Sequence, residues 1–158
     1  MKNFIRPKTV VFDMDGTLVD VSSIRHHVIG GPQNNYRKDF DAFHRDAVNC
    51  PPIKWVRALA WDYYLHGGYK VIQVTARSER YRASTSWWIA ENNVPSDALY
   101  MRADRDFRPD YEVKKEIIDR LLVRHDIVRA YDDNPSIIRL WSEYGIPCTV
   151  VPGWQEYG

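Results

Sequence analysis

The sequence predicts an α/β fold: a Rossmann-like parallel sheet of five strands with helices on both faces and a small cap inserted after the first strand. Three observations predict it. Short apolar runs alternate with segments of helical spacing, the pattern of a parallel sheet with crossover helices. The length of 158 residues suits one domain with one core, so residues 1–158 are treated as a single domain. Residues 19–49 are too long for an ordinary strand-to-helix loop and are predicted to form the cap.

Five short runs have the composition of buried strands. Each is bounded by polar, glycine or proline residues, and only the fourth contains a charged residue, Arg129. Continuous apolar runs of this length are typical of strands that are covered on both faces. The predicted strands are Thr9–Phe12, Val71–Val74, Ala98–Met101, Ile127–Tyr131 and Cys148–Val151.

Three segments between these strands carry apolar residues at helical spacing. They cover residues 53–63, 113–122 and 137–144. The first follows two prolines and stops at two glycines, and the third stops at Gly145; proline in the first turn and glycine after the last are common helix boundaries. Ligands of such folds bind beyond the carboxyl ends of the strands, so chemistry is expected at that edge of the sheet.

Composition excludes several classes of protein. The chain has 22 basic and 21 acidic residues, a net charge of +1, which argues against a wholly electrostatic DNA binder but leaves a local basic face open. Cys50 and Cys148 form no disulfide-like pattern. No apolar run is long enough to cross a bilayer, and the first residues lack the core of a signal peptide. We therefore expect a cytoplasmic protein without membrane attachment.

Two carboxylates follow the first predicted strand, in the sequence Asp13-Met14-Asp15-Gly16. Residues two apart on an extended chain point the same way, and Gly16 permits a sharp turn after them. Mutual repulsion would raise the pKa of one carboxylate unless a cation neutralises the pair, so the motif indicates either a Mg²⁺ site or a pair that shares a proton. An ordinary turn or helix cap is the structural alternative.

Polar residues also follow the second and fourth predicted strands. Thr75 and Arg77 offer donors for phosphate oxygens, and Asp132 and Asp133 add acidic groups at the same edge. Taken alone, Thr75 and the Asp132-Asp133 pair are also typical of helix capping, and Arg77 is typical of a surface residue. A cation could come from Lys114 or from its neighbour Lys115, and the sequence does not separate the two.

The order of these motifs resembles the haloacid dehalogenase-like phosphotransferase superfamily. The set is Asp-x-Asp-Gly-Thr at 13–17, Val-Thr-Ala-Arg at 74–77, Lys114 and Asp132-Asp133. With the run 110–117, the chain is most similar to the 3′-phosphatase domain of phage polynucleotide kinase-phosphatases. It departs from that family at Thr75-Ala76-Arg77, where Ser-Gly-Arg is usual, and around Arg25, where a glycine-rich segment is usual. It contains no GxxxxGK[ST] loop, so the kinase half is absent from this chain.

The resemblance implies a phosphatase that works through an aspartyl-phosphate. Asp13 would be the nucleophile and Asp15 the general acid and base. The same resemblance implies Mg²⁺ held by Asp13, the backbone carbonyl of Asp15, and one or both of Asp132 and Asp133. Thr75 and Lys114 would hold the transferring phosphate and count as catalytic. The substrate-binding residues that it implies are Thr17, Arg25, Thr75, Arg77, Asp110 and Lys114.

The resemblance also implies the substrate, a nucleic-acid end that carries a 3′-phosphate. Arginines at 77, 80, 82, 102, 105 and 108 follow strands two and three, with Tyr81, Trp87 and Trp88 near the first group, and such surfaces suit single strands. Trp88 is also expected on the buried face of a helix. Alternatives are a phosphatase of free nucleotides and a non-catalytic binding module. The resemblance also implies a separate kinase or ligase partner and, for a phage protein, the host cytoplasm.

Overall fold

In the computed structural model, which describes residues 4–153, a single sheet contains five parallel strands. The strand order β3-β2-β1-β4-β5 places β1 at the centre. The chain runs outward from β1 to β3 on one side, then crosses back to β4 and runs outward to β5 on the other side. This is the order of a doubly wound α/β fold, which confirms the predicted fold class. The strands are β1 Lys8–Phe12, β2 Lys70–Ser78, β3 Ala98–Arg102, β4 Asp126–Asp132 and β5 Cys148–Val150.

Helices cover both faces of the sheet because alternate residues of the central strand point to opposite sides. Val10 and Phe12 pack in one core with the buried faces of α2 and α3, whereas Val11 packs in a second core with α4 and α5. Trp88 is fully buried in the first core, and its indole Nε1 donates to the carbonyl of Cys50 at 2.8 Å. The helices are α1 Phe40–Asp46, α2 Lys54–His66, α3 Arg82–Glu91, α4 Asp110–Arg124 and α5 Pro135–Glu143.

Residues 19–49 form a separate excursion between β1 and α2. The chain is paired where the excursion begins and ends: Val19 bridges Pro52, and the amide of Asp20 donates to the carbonyl of Pro51 at 2.9 Å. The excursion contains three short 3-10 turns and the helix α1, whose N-cap Asp39 accepts from the amide of Ala42 at 3.0 Å. Apolar side chains such as Phe43 anchor it to the first core.

The second strand is longer than its apolar run. It continues to Ser78, with a shift in its pairing to β3 between Val74 and Ser78. Thr75 and Arg77 therefore belong to the strand itself, and the following helix begins only at Arg82. The alternative interpretation of Thr75 as a helix cap is wrong. Within the described residues, no helix combines the length and the apolar composition needed to cross a bilayer.

Candidate active site

Asp13 is held at the carboxyl end of the central strand. Its amide donates to the carbonyl of Tyr131 at 3.0 Å, which extends the pairing of β1 with β4 by one residue, and its side chain is mostly buried. The chain then turns at Gly16, whose φ of +82° is favourable only for glycine. A Cβ at Gly16 would lie 2.0 Å from a carboxylate oxygen of Asp133. Glycine thus lets the turn pass close against the acidic tip of β4.

Three carboxylates from two neighbouring strand tips converge. Oxygens of Asp13, Asp132 and Asp133 lie within 4.8 Å of one another, and all three residues are buried. Adjacent parallel strands β1 and β4 end at the same edge, which is why residues far apart in sequence meet here. Clustered carboxylate oxygens are the donors that Mg²⁺ prefers in proteins. The donor set fits the predicted metal, and the side chain of Asp15 is not part of it.

Lys114 supplies the cation of this cluster. Its Nζ donates to Asp13 at 2.8 Å and to Asp132 at 3.2 Å, and its side chain is almost wholly buried. Burial alone would lower the pKa of Lys114, but the two carboxylates raise it well above its ordinary value. Lys115 instead lies on the surface, where it pairs with Asp119. The structure thus places Lys114 in the site and Lys115 outside it.

One lysine does not balance three carboxylates. Burial raises the pKa of Asp132 and the pKa of Asp133, and the charge of Asp13 raises both further. The amide of Asn134 donates to Asp132 at 3.0 Å, which offsets part of this effect. A divalent cation would remove the excess negative charge that disfavours ionisation of these groups.

Two threonines, Thr17 and Thr75, lie near the carboxylate cluster. Thr17 donates to Asp13 at 3.3 Å and is fully buried. Thr75, from the neighbouring strand, lines the same cleft as Asp13, and its Oγ1 accepts from the amide of Arg77 at 3.2 Å. The hydroxyl hydrogen of Thr75 is therefore available to a ligand in the cleft. Thr75 thus lines the cleft in which a phosphate contact is predicted, whereas Thr17 lies beneath it, bonded to Asp13, and is not among the cleft residues.

Arg77 holds Asp15 in a two-point ion pair. Its Nε donates to one carboxylate oxygen at 2.9 Å and its Nη2 donates to the other, while Nη1 donates to Thr85 at 3.0 Å. Burial opposes ionisation of Asp15, but the charge and hydrogen bonds of Arg77 outweigh it and lower the pKa. Because every guanidinium nitrogen is engaged, the structure places Arg77 as the group that orients Asp15.

The site opens into a cleft of about 560 Å³ between the sheet edge and residues 19–49. The cap side supplies Lys38, Phe40 and His44. Arg80 and Tyr81, which follow β2, both donate to Asp41 on α1 and so tie the two sides together. Asp13 and Lys114 lie in the same cleft, so the nucleophile predicted from sequence is accessible.

Most of the arginines predicted to contact nucleic acid are paired with acidic groups of the chain. Arg82 pairs with Glu79, and Arg108 pairs with Asp106 and Glu116. Arg102 donates to three backbone carbonyls and to Asp110. The basic cluster is therefore less available for phosphates than its composition indicates. Trp87 is exposed but does not line the cleft, and Trp88 belongs to the core.

Asp110 and Arg25, both predicted to contact the substrate, line different pockets. Asp110 is the first residue of α4, lines the cleft and pairs with Arg102 at 2.5 Å. Arg25 is buried in a 3-10 turn and lines a second pocket of about 220 Å³ that borders Gly16. Arg25 is not among the residues that line the cleft with Asp13. The spacing after Asp13 did not reveal this, because the folding of residues 19–49 decides which pocket Arg25 lines.

The cleft also contains Lys38, Phe40, His44 and Phe107, none of which was predicted from the sequence to lie there. His44 packs against Tyr81, with ring centroids 4.8 Å apart, and burial lowers its pKa to about 4 although Asp15 opposes the shift. The imidazole is thus neutral at pH 7. The sequence carried one signal for Phe107: it is the one aromatic residue in the polar run 102–110.

Residues 7–153 match the family described as "Polynucleotide kinase PNKP phosphatase domain". The fold is similar to a chain of the Pnkp1/Rnl/Hen1 complex, with a TM-score of 0.77 and 25% identity over 94% of this chain and 49% of that one. It is also similar to a class C acid phosphatase from Bacillus anthracis, with a TM-score of 0.66 and 13% identity over 97% of this chain and 69% of that one.

This chain spans about half the length of the Pnkp1/Rnl/Hen1 chain that it matches. The family match covers nearly all of the described residues and includes the three strand tips that carry the site. The expected resemblance is confirmed: the chain belongs to the polynucleotide kinase PNKP phosphatase-domain family within the haloacid dehalogenase-like superfamily, and it is a phosphatase.

Proposed function

We propose that the chain is a Mg²⁺-dependent phosphomonoesterase that removes 3′-terminal phosphates from nucleic-acid ends through an aspartyl-phosphate on Asp13. The observation that carries the proposal is the position of Asp13. It lies at the floor of an open cleft, bonded to Lys114 and within reach of two further carboxylates. A dianionic phosphate repels a carboxylate nucleophile unless positive charge lies beside it, and Lys114 provides that charge here.

The first half-reaction transfers the phosphoryl group to the protein. A carboxylate oxygen of Asp13 forms a bond to phosphorus as the bond between phosphorus and the 3′-oxygen breaks. Asp15 gives its proton to the departing oxygen. The Arg77 pair favours the ionised form of Asp15, whereas a dianionic phosphate beside Asp15 raises its proton affinity, so Asp15 takes up a proton from solvent when the substrate enters. Thr75 and Lys114 donate to the oxygens on which charge develops.

The second half-reaction frees Asp13. Asp15, now a carboxylate oriented by Arg77, takes a proton from a water molecule, whose oxygen bonds to phosphorus. The bond between phosphorus and the Asp13 oxygen breaks, which releases inorganic phosphate and restores the carboxylate. Each proton that Asp15 gives in the first half-reaction is recovered in the second. Arg77 serves both halves as a positioning residue.

Asp13, Asp132, Asp133 and the backbone carbonyl of Asp15 would hold the Mg²⁺. When bound, the ion supplies charge that offsets the meeting of a carboxylate with a phosphate dianion. The raised pKa values of Asp132 and Asp133 support this assignment, because they reflect burial and the negative charge of neighbouring carboxylates, which Lys114 offsets only in part.

Magnesium should stabilise the fold as well as permit turnover. We expect a chelator to abolish phosphate release and to lower the melting temperature, and added Mg²⁺ to restore both, because an ion that binds only the folded state stabilises it. Differential scanning calorimetry with and without EDTA measures the second effect independently of activity. Turnover that persists in EDTA would contradict the proposed cofactor.

A nucleic-acid substrate is supported by the cleft and by the similar structures. The cleft contains Lys38, Arg105 and the aromatic side chain of Phe107 beside the site. One similar structure, at 24% identity, is described as the Pnkp1/Rnl/Hen1 RNA repair complex. A repair role for this chain, with a separate kinase or ligase that acts on the same ends, is part of the proposal.

Three substrates test the function. We expect the highest kcat/KM for an oligonucleotide with a 3′-phosphate, and values at least about 10-fold lower for the same oligonucleotide with a 5′-phosphate and for free nucleoside monophosphates. A 5′-phosphate presents its strand to the cleft with the opposite polarity, and a free nucleotide presents no strand, so both lose contacts that stabilise the transition state. Preference for a free nucleotide would establish the small-molecule alternative. Failure to release phosphate from any of these substrates or from an aryl phosphate would favour the binding module.

A further inference from the structure

The loop between β3 and α4, residues 103–109, is held in one shape by Arg102. Its Nη1 donates to the carbonyls of Asp106 and Arg108 at 2.9 and 2.6 Å, and its Nε donates to the carbonyl of Ala76 at 2.8 Å. These bonds fix the backbone on both sides of Phe107 and attach the loop to β2. Residues anchored in this way need little further ordering when a ligand binds.

Phe107 is presented to solvent by this fixed loop. Its side chain is 92% exposed, and it lines the cleft that contains Asp13. Arg108, the next residue, forms ion pairs with Asp106 and Glu116, and these further restrain the loop. A single exposed phenylalanine is common on protein surfaces. One that is held rigidly at the mouth of a polar cleft offers an apolar face to whatever enters with the phosphate.

The charges beside Phe107 identify the chemistry of the ligand. Arg105 lies two residues away in a left-handed backbone conformation, with a φ of 61°. Within residues 4–153, neither Arg105 nor Lys38 on the opposite wall pairs with a carboxylate of the chain. An exposed aromatic ring and two available cations in the same cleft match a nucleobase with its neighbouring backbone phosphates.

We propose that Phe107 stacks on the terminal nucleobase of a 3′-phosphorylated single strand, while Arg105 contacts the phosphate of the preceding nucleotide. This inference rests on the proposed function and names the part of the substrate that the cleft recognises beyond the phosphate. Phe107 becomes the residue that distinguishes a polynucleotide end from a small phosphate ester, and Trp87 and Trp88 have no part in base contact.

A comparison of two ends tests the stacking directly. Wild type and Phe107→Ala are each assayed on a 3′-phosphorylated oligonucleotide and on the same oligonucleotide with an abasic terminal sugar. We expect wild type to lose about 10-fold or more in kcat/KM on the abasic end, the range for loss of one stacked base. Phe107→Ala should show a similar loss on the normal end and no further loss on the abasic end. Phe107→Tyr should retain the preference of wild type.

Trp87→Ala is the matched control, since Trp87 is an exposed aromatic residue outside the cleft; it should behave as wild type on both ends. Equal discrimination between the two ends by wild type and Phe107→Ala would overturn the stacking while leaving the proposed function intact. Absence of phosphate release from both oligonucleotides by wild type would overturn the proposed function itself, and the stacking with it.

Discussion

Asp13→Asn is expected to lower kcat at least about 1,000-fold, because the amide cannot accept the phosphoryl group and loss of a covalent nucleophile removes the pathway. The fold should survive. Lys114 keeps its bond to Asp132 at 3.2 Å, and one negative charge leaves a cluster that holds three carboxylates. In EDTA the free energy of unfolding should therefore equal or exceed that of wild type. Steady-state phosphate release and urea unfolding measure the two effects.

Asp62→Asn provides the matched control for this substitution, because Asp62 is exposed on α2 and is not among the residues that line the cleft. Its activity and stability should equal those of wild type. If Asp13→Asn retained wild-type turnover, another group would have to be the nucleophile, and the proposed chemistry would fail.

Lys114→Met is expected to damage both activity and stability. It leaves three buried carboxylates without the cation that now bonds two of them. Removing one partner from a buried ion pair typically costs about 3–5 kcal/mol, so unfolding in EDTA should require that much less free energy. The kcat should fall by a factor of about 100 or more, as when a donor to developing charge is removed. Mg²⁺ should recover part of the stability but not the activity.

Lys115→Met is the companion control. The side chain of Lys115 is half-exposed and pairs with Asp119 four residues later on the same helix, an arrangement that contributes about 0.3–0.5 kcal/mol. Chemical denaturation should therefore show a change of less than about 1 kcal/mol, with unchanged turnover. A reversal of the two phenotypes would place the catalytic lysine one residue later.

The strands and the acidic tips could be predicted because both depend on local sequence. The runs at 9–12 and 127–131 contain no charged residue except Arg129, and this composition favours burial in a parallel sheet. Once those strands are parallel neighbours, the carboxylates of Asp13, Asp132 and Asp133 must meet at one edge. The same reasoning did not choose between Lys114 and Lys115, because helical phase decides which of them faces the sheet.

The partners of the arginines could not be predicted from sequence. Arg77 is bonded to Asp15 and Thr85, and Arg80 to Asp41 in the cap, and these contacts depend on how distant segments pack. A run of arginines after a strand is equally compatible with phosphate binding and with internal ion pairs. The extension of β2 to Ser78 was missed for a similar reason: its last residues are polar, and the pairing with β3 that defines them is long-range.

Transfer of the phosphoryl group to Asp13 can be tested by labelling an Asp15→Asn variant. An aryl [³²P]phosphate has a leaving group that needs no acid, so this variant should be phosphorylated but should not hydrolyse the product. After an acid quench and trypsin digestion, we expect close to one label per chain, confined to the peptide of residues 9–25, and no label when Asp13→Asn is added. Turnover of the same ester by wild type with no labelled Asp15→Asn protein, or with label outside residues 9–25, would contradict it.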